Sequence, residues 1–140
     1  MVKVEVIIQR LNKLLTSLKK IEKFMFLSLE EFLEDDIAQD VVEYNLFICI
    51  NMMIDIAAHI VVENDLGNPE TMEGAFDILK KERYLSADET KTYKNMVGLR
   101  NLLAHEYLKI DKKIIYDILQ NNLTDIKKFV VFINDNFIKG

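Results

Sequence analysis

Apolar residues recur at steps of three and four through most of this chain, the spacing that places side chains along one face of an α-helix. The first run covers residues 4–32 and predicts one long amphipathic helix. A second run follows the acidic patch at residues 34–36, whose negative charge favours a helix N-terminus. This run continues to about Leu66, and Gly67 is the predicted stop of the second helix.

Two further helices are predicted from their start signals. The Asn-Pro pair at residues 68–69 suits the beginning of a third helix, whose apolar positions lie within residues 72–79. Ser86 and Glu89 have the spacing of a capping box, in which each side chain accepts a hydrogen bond from the backbone of the other residue. A fourth helix is therefore predicted to begin at this box and to run toward Tyr107.

The rest of the chain continues the helical pattern. Asp111 is the predicted cap of a fifth helix, and the asparagines at 121–122 separate it from a last apolar stripe that ends near Phe137. With 140 residues, four Gly and one Pro, the chain has the size of one domain and little turn chemistry. The prediction is an all-α fold, an antiparallel bundle of four main helices plus short helices, formed as a single domain by residues 1–140.

The second predicted helix is the most apolar segment of the chain. Its residues 41–62 are long enough to suggest a membrane span, but polar residues interrupt them, namely Glu43, Asn51, Asp55 and His59. We therefore expect a buried helix in a protein that does not contact a membrane. Because its apolar circumference exceeds what a small bundle covers, we also expect a homodimer.

Composition and charge narrow the location and the function. The N-terminal run is interrupted by charges and has no pattern of a cleaved leader, so a cytoplasmic protein is expected. Cys49 stands alone in an apolar run, which favours a small buried side chain over a disulfide. The net charge of −5 disfavours a generic nucleic-acid binder. Residues 71–140 nevertheless hold 12 Lys and Arg against 10 Asp and Glu, which permits a local basic surface.

Arg100 interrupts the apolar face of the fourth predicted helix. It falls within an arc of apolar positions formed by Met96, Val97, Leu99, Leu103 and Ala104. An unpaired buried charge is among the costliest groups that a fold can contain. This guanidinium therefore requires a carboxylate, an anionic ligand or a wet cleft between subunits.

Three more polar residues lie close to Arg100 in the sequence. Tyr107 follows by seven residues, so a continuous helix would place it within about 20° of the same face. Asn101 and His105 are four residues apart and can meet on a neighbouring face. His suits proton transfer near neutral pH and Arg suits phosphate binding, so the pair favours phosphodiester cleavage. The alternative is structural, because Arg-x4-His recurs by chance in helices.

The motif Arg100-x4-His105-x-Tyr107, with Asn101 directly after the arginine, resembles the signature of the HEPN superfamily, specifically its HepT-like toxin branch. The helical layout, the apolar second helix with residues 54–60, and the spacing to the capped motif helix are similar to that branch as well. The resemblance covers most of the chain.

This resemblance implies a metal-independent endoribonuclease that acts as a homodimer, with two motifs facing each other across a cleft. His105 would be the general acid or base, Arg100 would stabilise the charge of the phosphorane, and Asn101 would orient the site. The resemblance also implies a type VII-like toxin–antitoxin pair. In such a pair a cognate nucleotidyltransferase antitoxin attaches AMP to Tyr107 and thereby blocks the cleft.

A second polar series lies on the second predicted helix. It recurs every four residues and comprises Asn51, Asp55, His59 and Glu63. One interpretation is a solvated or interfacial stripe. The other is that Asp55, which the resemblance places near the motif, pairs with Arg100 or orients His105. His59 with two carboxylates offers too few strong ligands for a metal site, so neither a metal nor a cofactor is expected.

Two other interpretations of the chain stay open. The first is a non-catalytic helical subunit that binds a nucleotide for a minimal nucleotidyltransferase and uses Arg100 to hold a phosphate. The second is a purely structural dimer. Cleavage of RNA in the presence of a chelator separates the nuclease from both.

Overall fold

Seven α-helices make up the part of the protein that the computed structural model describes, which is residues 4–139 apart from the side chain of Tyr107. They are α1 (Val4–Glu22), α2 (Leu29–Glu34), α3 (Asp36–Glu63), α4 (Gly74–Lys81), α5 (Ala87–His105), α6 (Lys112–Asn121) and α7 (Leu123–Ile133). A 3-10 turn, Tyr107–Lys109, follows α5, and a π-helical turn, Asn134–Ile138, follows α7. Within residues 4–139 there is no strand, and the all-α prediction is confirmed.

The first predicted helix is two helices. α1 ends at Glu22 and a turn separates it from α2, so the prediction of one helix over residues 4–32 is wrong. A capping box starts α2, because the Ser28 hydroxyl accepts from the Glu31 backbone N–H at 3.1 Å and the Glu31 side chain accepts from the Ser28 N–H at 2.9 Å. Apolar residues of the turn, such as Phe24, still pack against the core. The apolar period therefore continues across the break and hides it.

α3 is the central helix, and α1, α4 and α5 pack against it. Asp35 caps its N-terminus by accepting a hydrogen bond from the Ala38 N–H at 3.0 Å, as the acidic patch predicted. The helix ends at Glu63, short of Leu66, and Gly67 lies in the turn beyond it with a φ of +156°. Within residues 4–139, α3 is the one helix long and apolar enough to cross a membrane, but half of its most apolar window is buried in the protein. Its packing is that of the core helix of a soluble protein.

α1 and α3 run in opposite directions. Arg10 of α1 pairs with Asp55 of α3, while Leu14 lies opposite Cys49, whose thiol is 3.5 Å from the Leu14 carbonyl oxygen. The numbering of α3 thus falls as that of α1 rises. The long helices α1, α3 and α5, with 19, 28 and 19 residues, form the main part of the bundle, and α6 and α7 complete it.

The start signals predicted for the last three helices, α5, α6 and α7, are confirmed. The Ser86 hydroxyl accepts from the Glu89 N–H at 3.0 Å, and the Glu89 carboxylate accepts from the Ser86 N–H at 2.9 Å. Asp111 caps α6 by accepting from the Lys113 N–H at 2.9 Å. Asn122 separates α6 from α7 as predicted. The third helix begins at Gly74, later than its Asn-Pro signal indicated.

Candidate functional site

Arg100 lies where α5 contacts the middle of α3. Its Nε donates a hydrogen bond to Asn51 Oδ1 at 2.8 Å, and its Nη1 donates to Asn101 Oδ1 at 3.0 Å. Its Cζ lies 5.1 Å from the centre of the Phe47 ring, which is a cation–π distance. The residue is half-buried, and two amides and an aromatic ring hold it in place.

These neutral partners leave the positive charge of Arg100 uncompensated among residues 4–139. Among residues 4–139, the salt bridges join other cations to carboxylates and none includes Arg100. Of the three environments that the sequence allowed, a carboxylate within the chain is therefore ruled out for the described residues. A planar guanidinium on the rim of a surface is suited to a phosphate.

Asp55 lies one helical turn from Asn51 but pairs with a different arginine. The Arg10 guanidinium donates to the Asp55 carboxylate, and His59 Nε2 lies 3.8 Å from it. One of the alternatives for Asp55, a pair with Arg100, is thus replaced by a pair with Arg10, and Asn51 occupies the place beside Arg100. Both residues belong to the same four-residue series, so helical spacing alone could not decide which of them meets α5.

His105 is the last residue of α5, and its side chain is exposed. It lines a shallow cavity of about 170 Å³ together with Glu106, Leu108 and Lys109. Asn101, one turn earlier, is turned toward Arg100 and accepts a hydrogen bond from it. The structure therefore brings Arg100 and Asn101 together and leaves the imidazole of His105 accessible to a substrate.

Tyr107 does not continue the helix that carries Arg100. Glu106, with φ of −135°, leaves the helical conformation while its N–H still donates to the Leu102 carbonyl oxygen at 2.8 Å. The chain then forms the 3-10 turn Tyr107–Lys109. The prediction of one continuous helix from Arg100 to Tyr107 is therefore wrong. The side chain of Tyr107 lies outside the described part, so its predicted position on the face of Arg100 stays a prediction.

Of the basic residues around the motif, one is paired with a carboxylate and others are exposed. Lys112 Nζ lies 2.6 Å from a carboxylate oxygen of Glu43, which is itself largely buried, so this lysine is neutralised. Lys109 and Lys113 are exposed.

Phe47, the ring beneath Arg100, was not singled out from the sequence, because an aromatic residue on an apolar helix looks like any core position.

Comparison with known families matches residues 14–133 to the family described as Ribonuclease HepT-like. The chain belongs to this family. It is 29% identical over 126 residues to the mRNA nuclease HepT of Shewanella oneidensis, across 90% of this chain and 94% of that protein. It is 30% identical over 135 residues to the tRNA nuclease HepT of Aphanizomenon flos-aquae, across 96% of this chain and 90% of that protein.

A solved structure extends the likeness of this HepT-like chain to three dimensions. The tri-AMPylated HEPN toxin of Shewanella oneidensis, in complex with its MNT antitoxin, superposes with a TM-score of 0.85 at 29% identity. The match covers 93% of this chain and 97% of that one. The family predicted from the Arg-x4-His-x-Tyr motif is confirmed.

Proposed function

We propose that this HepT-like protein is a metal-independent endoribonuclease toxin of a type VII-like toxin–antitoxin pair and that it acts as a cytoplasmic homodimer. The observation that carries the proposal is the half-buried guanidinium of Arg100, held by neutral groups five residues before an exposed histidine at the end of the same helix. The names of the two nuclease relatives support RNA as the substrate.

In this mechanism the Arg100 guanidinium binds the scissile phosphate and stabilises the added negative charge of the phosphorane. Asn51 and Asn101 position that guanidinium through its Nε and Nη1. His105 acts on the ribose 2′-hydroxyl as general base, or on the leaving 5′-oxygen as general acid. A dimer brings two copies of His105 to one cleft, so one copy can take a proton while the other supplies one.

The proposed dimer forms on the side of α3 that carries exposed apolar residues near both ends, with Asn51 and Asp55 between them. Along this face Ile37 is 70% exposed and Val62 is 46% exposed, although α3 is the core helix. Large apolar side chains in such positions favour a symmetric partner.

Nuclease activity is tested by incubating RNA with the protein in excess chelator. Arg100→Ala and His105→Ala should each lower the rate constant of cleavage at least about 100-fold, the usual loss for a charge-stabilising or proton-transferring group. His59→Ala removes the other histidine of the chain and should retain the activity. Equal background cleavage by all four proteins would overturn the proposal and favour a non-catalytic nucleotide-binding subunit.

Silencing by a nucleotidyltransferase antitoxin is the second part of the proposal. It is supported by the AMPylated state of the Shewanella oneidensis toxin and by the position of Tyr107 in a 3-10 turn whose next residue, Leu108, is 85% exposed. After incubation with ATP and the cognate antitoxin, mass spectrometry should find adenylate on the peptide that contains Tyr107. Tyr107→Phe should abolish it, and adenylate found only on another of the five tyrosines would remove this assignment.

A further inference from the structure

A cavity of about 390 Å³ lies directly beside the motif, between the N-terminal half of α3 and the end of α5. It is lined by Asp40, Glu43, Tyr44, Phe47, Leu103 and Ala104. Phe47 is the ring beneath the Arg100 guanidinium, and Ala104 directly precedes His105. The volume is within the range of small-ligand sites, so a group attached to a phosphate at Arg100 can enter it.

One wall of the cavity offers an aromatic face. Tyr44 is 61% exposed, and among the described residues its ring pairs with no other aromatic ring. Leu103 and Ala104 supply an apolar surface from α5. Proteins bind unpaired RNA bases by stacking them on such exposed aromatic rings.

The rim of the cavity offers one available carboxylate. Asp40 is exposed and, within residues 4–139, takes part in no salt bridge, whereas Glu43 is occupied by Lys112. Asp40 and Tyr44 are four residues apart on α3, so they lie on the same helix face. An ionised carboxylate only accepts hydrogen bonds. Guanine presents two adjacent donors, N1–H and the N2 amino group, while uracil flanks its single N–H with two carbonyl oxygens that a carboxylate repels.

We infer that this cavity is a nucleobase subsite that directs cleavage to phosphates next to guanine, with Tyr44 stacking on the base and Asp40 accepting from its N1–H and N2–H. The predicted effect on the site of cleavage rests on the proposed function. Binding of the base is a separate property that can be measured without any cleavage.

The binding test uses His105→Ala as the parent, at one fixed salt concentration because affinity for RNA depends on salt. Two short probes are compared, an all-uridine RNA and the same RNA with a single central guanosine. The guanosine probe should bind roughly tenfold more tightly, the size expected of hydrogen bonds to one charged group. Adding Asp40→Asn should remove the difference, and adding Tyr44→Ala should weaken both probes. Asp65→Asn makes the same charge change at an exposed position beyond α3 and should alter nothing.

Cleavage sites mapped on a long RNA then supply the second readout. Active protein should cut next to guanosine in preference to uridine, and Asp40→Asn should lower that ratio of kcat/KM by about tenfold. Equal affinity for the two probes, or an unchanged ratio in Asp40→Asn, would overturn the subsite. In the proposed dimer the cavity opens into the cleft between the two copies, so Tyr44→Ala should leave the assembly mass unchanged. A changed mass would show that the second copy packs on Tyr44 and covers the cavity, and it would overturn the subsite. If the protein binds the guanosine probe more tightly but shows no cleavage that depends on Arg100, the proposed nuclease function fails and the subsite is still supported.

Discussion

The amide of Asn51 determines how Arg100 presents its charge. Its Oδ1 accepts a hydrogen bond from the Nε–H of the guanidinium at 2.8 Å and leaves the positive charge in place, whereas an aspartate in the same position would neutralise it. Asparagine is therefore the side chain that both positions the arginine and leaves it available to an anion.

This role predicts different outcomes for two substitutions. Asn51→Ala removes one hydrogen bond and should lower kcat by about tenfold, whereas Asn51→Asp should pair with Arg100 and lower kcat by about 100-fold or more. Single-turnover cleavage of RNA measures both rates. Asn64→Ala, at the C-terminal end of the same helix, is the control and should cleave normally. An Asn51→Asp protein with undiminished activity would show that the charge of Arg100 is not used.

Cys49 is inaccessible in the folded protein, and burial raises the pKa of its thiol from 9.0 to about 12. Because the folded pKa lies above the unfolded one, the fold favours the neutral thiol. The resulting stability is complete below about pH 9 and is lost as the pH rises toward 12.

The corresponding experiment compares urea unfolding of the wild type and Cys49→Ala at about pH 8 and about pH 11. Between about pH 8 and about pH 11, the free energy of unfolding should fall by roughly 3 kcal/mol more in the wild type than in the variant, because the variant lacks the buried thiol. The native thiol should also resist alkylation at about pH 8 and react once the protein unfolds. Fast alkylation of the native state would contradict the burial.

Helix boundaries show what local sequence can and cannot decide. The box of Ser86 and Glu89 stands where the apolar pattern begins anew, so the start of α5 was predicted and is confirmed. The equivalent box of Ser28 and Glu31 was missed, because the apolar residues around it keep the period of α1.

Capping at α5 leads to a prediction about stability alone. Ser86→Ala removes the acceptor of the Glu89 N–H and should lower the free energy of unfolding by about 1 kcal/mol in urea. Thr92→Ala is the control, since it removes a mid-helix hydroxyl bonded to the Asp88 carbonyl oxygen and should be neutral or slightly stabilising. If the two variants were equally destabilised, the cap would have no special role.

Neither the end of α5 nor the partner of Arg100 could be predicted from the sequence pattern. Neither Gly nor Pro follows His105, and apolar Leu108 extends the helical pattern past the point where the chain turns. The choice of Asn51 over Asp55 is likewise made by the packing of α5 against α3. The sequence pattern predicts which face of a helix is buried. Which residue on that face meets a given neighbour depends on the position of the two helices along each other's axis.

The protein as a unit is organised around α3, the core helix, which also carries the exposed apolar side chains of Ile37 and Val62 near its two ends. Arg100 and the cavity beside it lie where α5 contacts α3. The family and the all-α fold can be read from a single chain. The homodimer requires a second copy of the chain and is a proposal.

Assembly can be tested with two valines that are similarly exposed. Val62→Lys places a charge on the side of α3 where the proposed dimer forms and should convert that dimer into a folded monomer that no longer cleaves RNA. Val131→Lys makes the same change on α7, where the side chain is 57% exposed, and should leave assembly and cleavage intact. Light scattering with a circular dichroism spectrum measures mass and folding together. A monomeric wild type that cleaves RNA would contradict the dimer.

Because uncharged groups of the described residues hold the half-buried guanidinium of Arg100, we expect the heat resistance of this protein to depend on the anions in solution. A compound that places an anionic group at this position should bind the folded form and raise the melting temperature. Thermal denaturation in the presence of inorganic phosphate, mononucleotides and short RNAs can then rank compounds by how well they fit, before any of them has been cut.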